Sequence, residues 1–92
     1  MPDGDGYWIE GKLCFQGLLE TAFDGDLGYT LLEAKTKCES ACNDRDDCLY
    51  ASLYFVEYEN KQVCYLDGEK CTNWKANDNT DYHLYIKGKS IC

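Results

Sequence analysis

Residues 30–48 read TLLEAKTKCESACNDRDDC, and this stretch decides the fold. Thr30 followed by Glu33 matches a capping box, in which hydroxyl and carboxylate each satisfy a free backbone N–H at a helix start. Leu31, Ala34, Cys38, Ala41 and Cys42 then recur at steps of three or four, the signature of one apolar helix stripe. Cys38 and Cys42 stand one turn apart and point the same way, toward whatever the helix covers. Asn43 suits the helix end, and the acidic turn Asp44-Arg45-Asp46-Asp47 leads to Cys48. Its carboxylates sit at the wrong pole of the helix dipole, a penalty of a few tenths to about 1 kcal/mol when exposed.

Downstream, residues 49–58 (LYASLYFVEY) alternate into two faces of a strand. Leu49, Ala51, Leu53 and Phe55 form one; Tyr50, Ser52, Tyr54, Val56 and Tyr58 form the other. Glu59-Asn60-Lys61 predicts a hairpin turn into a second strand, Gln62 to Leu66. Residues 67–81 are polar and predict a surface loop, and Tyr82 to Lys87 a last short strand. Upstream, residues 7–15 (YWIEGKLCF) are rich in aromatic and branched side chains and predict one strand. Gly17, Gly25 and Gly28 predict turns around one short strand between Gln16 and Tyr29. Residues 1–6 read as a flexible leader, and residues 7–92 as the domain.

Seven cysteines in 92 residues point to a disulfide-stapled scaffold. A chain this short builds one modest core, so covalent staples supply stability that burial does not. Zinc is the rival use of clustered cysteines, but structural zinc sites favour Cys-x2-Cys pairs. Here the spacing is Cys-x3-Cys-x5-Cys followed by cysteines far apart, and His83 is the sole histidine. Disulfides persist in oxidising compartments, so the expected location is extracellular, a cell surface or an oxidising lumen. The start Met1-Pro2-Asp3-Gly4-Asp5-Gly6 lacks the features of a signal peptide, so the sequence reads as a mature or excised segment.

Seventeen acidic residues against nine basic ones give a formal charge of −8. Nucleic-acid binders carry a basic stripe for phosphate contacts, and none is present. An anionic membrane surface is disfavoured for the same reason, and no apolar run is long enough to span a bilayer. A basic partner, or an uncharged one such as a glycan, suits this charge.

The order of elements resembles the PAN/apple family: a strand with Cys14, a helix bearing KCESAC, the tight DRDDC turn, a long strand, the hairpin strand VCYL, then YHLYIK and a last cysteine. The resemblance runs over residues 7 to 92 and is most specific at Lys37-Cys38-x3-Cys42-x5-Cys48 and Cys64-Tyr65-Leu66. It implies a small disulfide-stapled α+β domain with one helix packed on a curved antiparallel sheet. It also implies bonds Cys38–Cys64 and Cys42–Cys48, and in apple-type members a bond from first to last cysteine, here Cys14–Cys92. Cys71 departs from the six-cysteine pattern, as an unpaired or intermolecular thiol that would join the chain to a larger assembly. Cys14–Cys71 with Cys92 left over is the rival pairing. The cysteine spacing is similar, more distantly, to that of small acidic leech anti-platelet proteins that bind collagen.

Catalysis is not expected. His83 has no evident nucleophile, and a lone histidine seldom completes a triad. No cofactor or metal is expected either: Asp24-Gly25-Asp26 and Asp78-Asn79-Thr80-Asp81 do not fit a calcium loop. The aromatic residues are the functional signal, because rings presented by a rigid sheet bury large area at low entropic cost. If Cys64 and Leu66 face the helix, Tyr65 points the other way. Tyr50, Tyr54 and Tyr85 are expected beside it on the far side of the sheet, with His83 adjacent and Trp74 overhanging, as a candidate binding face. The competing expectation, slightly favoured, is a second core layer covered by the N-terminal strand or the 67–81 loop. The resemblance implies a recognition or adhesion module for protein or carbohydrate. A structural subunit of a larger assembly, for example in an organelle lumen, and a secreted anti-adhesive or inhibitor are the alternatives.

Overall fold

The computed structural model describes residues 6–14, 17–69, 75–76 and 81–87. The capping box forms as the sequence predicts. The Thr30 hydroxyl accepts from the Glu33 amide at 3.1 Å, and the Glu33 carboxylate accepts from the Thr30 amide at 3.0 Å. These bonds hold the Glu33 carboxyl below its ordinary pKa, the Thr30 amide contributing most. Helix α1 runs Leu31–Asn43 and buries Ala34, Cys38 and Cys42, one residue per turn of a single stripe. At its end the unfavourable acidic turn is answered from across the fold. The Lys87 ammonium donates to the Arg45 carbonyl at 2.7 Å and the Cys42 carbonyl at 3.4 Å, placing a cation at the negative pole of the helix. Arg45 grips Asp47 through two bonds of 2.8 and 2.9 Å and also pairs with Glu20, so the turn is tied to the sheet edge. Arg45 in turn holds the Asp47 carboxyl below its usual pKa.

The strands are β1 (Tyr7–Glu10), β2 (Lys12–Leu13), β3 (Leu18–Gly25), β4 (Tyr50–Val56), β5 (Lys61–Asp67), β6 (Lys75–Ala76) and β7 (Tyr82–Ile86). Five of them form an antiparallel sheet in the order β1-β7-β4-β5-β3, with β4 central. The β4–β5 hairpin turns through a short 3-10 stretch, Glu57–Glu59, and Asn60, whose φ of 49° is a left-handed conformation that asparagine tolerates.

Alternation in β4 sends Ala51, Leu53 and Phe55 to the helix. There they join Cys64, Leu66 and Tyr85 of the neighbouring strands and Ala34, Cys38, Cys42 and Cys48 in one buried cluster. Two disulfides run through this core. Cys38–Cys64 ties the middle of α1 to β5, and Cys42–Cys48 closes the turn after the helix. All four sulfur-bearing residues are fully buried. The chain is therefore an α+β domain, one helix packed on a five-stranded antiparallel sheet and stapled by sulfur.

Three stretches depart from expectation, one of them the 67–81 loop, which begins with the last residue of β5 and contains the two-residue strand β6. The run Tyr7–Phe15 is not one strand. Gly11, at φ 79°, breaks it, and its amide donates to the Tyr82 carbonyl at 2.7 Å. The chain leaves the main sheet there, and β2 pairs with β6 instead, Lys12 opposite Ala76 and Leu13 opposite Lys75. Residues 16–29, expected to be mostly turns, contain the eight-residue edge strand β3, whose register slips twice against β5. Bulges and the outward charges of Glu20 and Asp24 guard such an edge against pairing with other chains.

The departure at Gly11 has a structural consequence on the sheet face away from the helix. Cys14 is laid over β4, where the Ser52 hydroxyl accepts from its amide at 3.2 Å and donates to its carbonyl at 3.1 Å. Cys14 and Leu84 form a second small buried cluster, with Tyr50 and Ile86 packed on it. Ser52 is fully buried, so Ser52→Ala leaves a buried donor and acceptor of Cys14 without their partner. The expected loss is about 1–3 kcal/mol, read as a lower urea midpoint at unchanged slope. A loss below about 0.5 kcal/mol would show that this clamp does not hold the segment down.

Candidate functional site

The sheet face opposite the helix collects tyrosines. Tyr50 and Tyr54 of β4 face outward by alternation, Tyr65 of β5 pairs with Ser52, and Tyr82 of β7 pairs with Tyr54. Tyr7, opposite Ile86 on β1, extends the same face and is 56% exposed. Cys14 and its neighbours cover the centre, over Ser52 and Leu84, and leave Tyr50, Tyr54, Tyr65 and Tyr82 half-buried around it. This face is thus intermediate between the two expectations: part core layer, part surface.

At one end of the face, the Tyr54 and Tyr82 rings lie 5.3 Å apart and tilted at 51°. Tyr58 follows in the turn after β4 and is 80% exposed. The Tyr54 hydroxyl has its pKa pushed up, first by burial and then by the negative charge of Glu59 and the nearness of Tyr82, Asp81 and Tyr58. Asp81, whose carbonyl accepts from the Phe55 amide at 2.8 Å, directly precedes Tyr82, and Glu59 follows Tyr58 in the turn after β4, so a carboxylate-bearing residue flanks each strand of the pair.

Two members of the expected binding face do not belong to it. Tyr85 pairs with Ala51 and His83 with Leu53, so both point to the helix side. Both are buried, at 1% and 2% exposure. The Tyr85 ring stacks 5.2 Å from Trp8, and its hydroxyl donates to Asn43 Oδ1 at 3.0 Å. Trp8 in turn donates from Nε1 to Glu39 at 3.0 Å, and the Lys35 ammonium lies 5.6 Å over its ring. These contacts lock β1 and β7 under α1. His83 is therefore no surface histidine, and it stands on the opposite face of the sheet from Ser52. Trp74, Cys71 and Cys92 lie outside the described residues. So does the expected Cys14–Cys92 bond, although Cys14 is itself disulfide-bonded.

Besides Ser52, three polar residues sit inside, where the sequence reading did not place them. Asp67, 1% exposed, accepts from the Gly17 and Glu69 amides at 3.0 Å each, and Gln62, 2% exposed, accepts from the Leu27 amide at 2.9 Å. Both close loops onto β5, and nothing in a strand's composition distinguishes such a residue from an outward polar one. The third is His83, whose Nδ1 is the one buried side-chain polar atom without a partner among the described residues. Burial, and then Lys35, pull its pKa below 6.5, while Glu10 and Asp81 oppose them.

The direction of that shift sets a pH dependence. The unfolded chain takes up the imidazole proton near its ordinary pKa of about 6.5, before the folded chain does. The histidine's stabilising contribution is complete above that pH and is lost as pH falls from there to the depressed folded value. Urea midpoints should decline through this window in the native chain and decline less in His83→Gln. Parallel pH profiles for the two proteins would refute the assignment.

Among the described residues no group of three histidine, cysteine or acidic side chains is placed to hold a metal ion. The five described cysteines, Cys14, Cys38, Cys42, Cys48 and Cys64, are all disulfide-bonded. No described helix is long and apolar enough to cross a membrane. No family model, curated protein or solved structure matches the chain.

Proposed function

We propose that this chain is a non-catalytic recognition module of the PAN/apple kind, holding a protein or carbohydrate partner in an extracellular or otherwise oxidising setting. The observation that carries this reading is the half-exposed tyrosine face on a sheet stapled by buried disulfides. Tyrosine offers a flat apolar body and a hydrogen-bonding tip with few rotors, so contact with a partner costs little ordering entropy. The frame is fixed before binding, which lowers that cost further. The disulfides are compatible with the oxidising location, since they would not persist among cellular reductants.

The test is a binding screen of the oxidised protein against glycans and matrix proteins, followed by Tyr50→Ala and Tyr65→Ala. A bound partner whose affinity falls about tenfold or more on these substitutions supports the reading, because anchor tyrosines lose about 1–2 kcal/mol or more on truncation. A partner indifferent to both places recognition elsewhere and removes this face from the argument. Turnover of any substrate that depends on His83 would overturn the non-catalytic assignment.

A further inference from the structure

The end of the tyrosine face nearest the β4–β5 turn has a chemistry distinct from the rest. Tyr54 and Tyr82 form a tilted pair of half-buried rings at 5.3 Å, so part of each ring remains open to solvent. Tyr58 lies in the turn that directly follows β4 and is 80% exposed, and Glu59, also exposed, comes next. The charges of Glu59 and Asp81 reach the Tyr54 hydroxyl. Aromatic faces attract cations through the ring quadrupole, and a carboxylate beside them adds a direct charge. The whole chain carries −8, so a cationic partner is drawn to it while an anionic one is repelled.

From this juxtaposition we infer that Tyr54, Tyr58, Tyr82 and Glu59 form a docking point for a basic peptide segment of a protein partner, taking a lysine or arginine side chain against the rings. This rests on the recognition reading and narrows it to a protein with an exposed cationic stretch. Arginine fits better than lysine, because its planar guanidinium stacks on a ring while still donating to a carboxylate. A neutral glycan would donate hydrogen bonds to Glu59 but gain no charge attraction. Tyr58 and Glu59 are exposed, so the expected affinity is modest and sensitive to salt.

The experiment uses the oxidised full chain and a fluorescein-labelled hexa-arginine peptide, with hexa-lysine and hexa-glutamate as comparisons. Tyr58→Ala and Glu59→Gln change exposed side chains, so folding is retained, which thermal melting checks. Asp46→Asn removes an exposed charge at the opposite end of β4 and serves as the control. Hexa-arginine should bind, more tightly than hexa-lysine, and hexa-glutamate should not. Tyr58→Ala and Glu59→Gln should each weaken binding about two- to fivefold, the range of an exposed cation–π or paired-charge contact. Asp46→Asn should change it less than about twofold, since it lies beyond short-range contact.

Equal weakening by Asp46→Asn and Glu59→Gln would reduce the attraction to diffuse net charge and overturn the inference. So would binding that ignores Tyr58→Ala, or no peptide binding at all. The broader recognition reading is judged separately, on the partner found by glycan and matrix-protein screening and its response to Tyr50→Ala and Tyr65→Ala. A glycan bound through those two tyrosines, with hexa-arginine ignored, leaves that reading intact and sinks this one. Silence in both assays removes both.

Discussion

Replacing Cys38 and Cys64 together by alanine should destabilise the domain more than replacing Cys42 and Cys48. The first bond joins residues 26 apart and the second residues 6 apart. In the chain-entropy account, cross-linking removes freedom from the unfolded chain in proportion to the logarithm of the loop. The two bonds are then worth about 3.5 and about 2.2 kcal/mol near room temperature. Geometry widens the gap. Cys38–Cys64 is the sole covalent link between α1 and the sheet among the described residues, and both ends lie in the main core. Small domains hold about 5 kcal/mol of net stability at the low end of the usual range, so losing the longer staple brings this one near its folding limit. Paired substitutions are required, because a single one leaves a thiol that can exchange with the remaining cysteines. Urea denaturation of the two double variants is the measurement. A smaller loss for Cys38/Cys64 than for Cys42/Cys48 would mean that helix–sheet packing, rather than the staple, sets the stability.

How far the sequence discloses this architecture depends on which signals are local. The helix is legible because both of its boundary marks lie within its own turn, Thr30 with Glu33 at one end and Asn43-Asp44 at the other. Its buried face is legible because Ala34, Cys38 and Cys42 recur every four residues. Strand β4 is legible for the same kind of reason, a clean two-residue alternation, and the short hairpin fixes the register of β5 against it. Strand β7 has no such tether. It follows β5 after the long polar stretch 68–81, and over that length nothing in the residues fixes whether Leu53 meets His83 or Leu84. A slip of one residue exchanges the faces of the whole strand. The expected placement of His83 and Tyr85 with Tyr50 and Tyr54 is that slip. The actual register puts Tyr82 and Leu84 on the tyrosine face instead. The edge strand β3 is legible only as a short strand without bounds, for another reason. Its two register shifts scramble the alternation that would have marked it, so LLETAFDG shows neither a polar nor an apolar face. The break at Gly11 is legible only afterwards, since a glycine in a strand pattern marks a bulge, a bend or nothing.

Tyr85 turns the corrected register into a measurement. On an outer binding face, Tyr85→Ala would spare folding and weaken a ligand. In the observed register it removes a ring that is 1% exposed, stacked on Trp8 and packed with Ala51 and Leu53 beneath the helix. Even Gly6, assigned by sequence to the leader, abuts that ring: a Cβ added there would collide with the Tyr85 hydroxyl. Truncating a fully buried aromatic residue costs about 3–5 kcal/mol, from lost burial and the cavity left behind. Tyr85→Phe separates the ring from its hydroxyl. It keeps the ring packing and loses the bond to Asn43, for which about 0.5–1.5 kcal/mol is expected, plus the cost of leaving the Asn43 oxygen to water. The ordering Tyr85→Ala far below Tyr85→Phe, and Tyr85→Phe slightly below the native protein, follows from a ring locked in the core. Near-native stability of Tyr85→Ala would return this tyrosine to the surface and, with it, shift every side chain of β7 to the other face of the sheet. The tyrosine face would then lose Tyr82, and the docking point built on its pairing with Tyr54 would go with it.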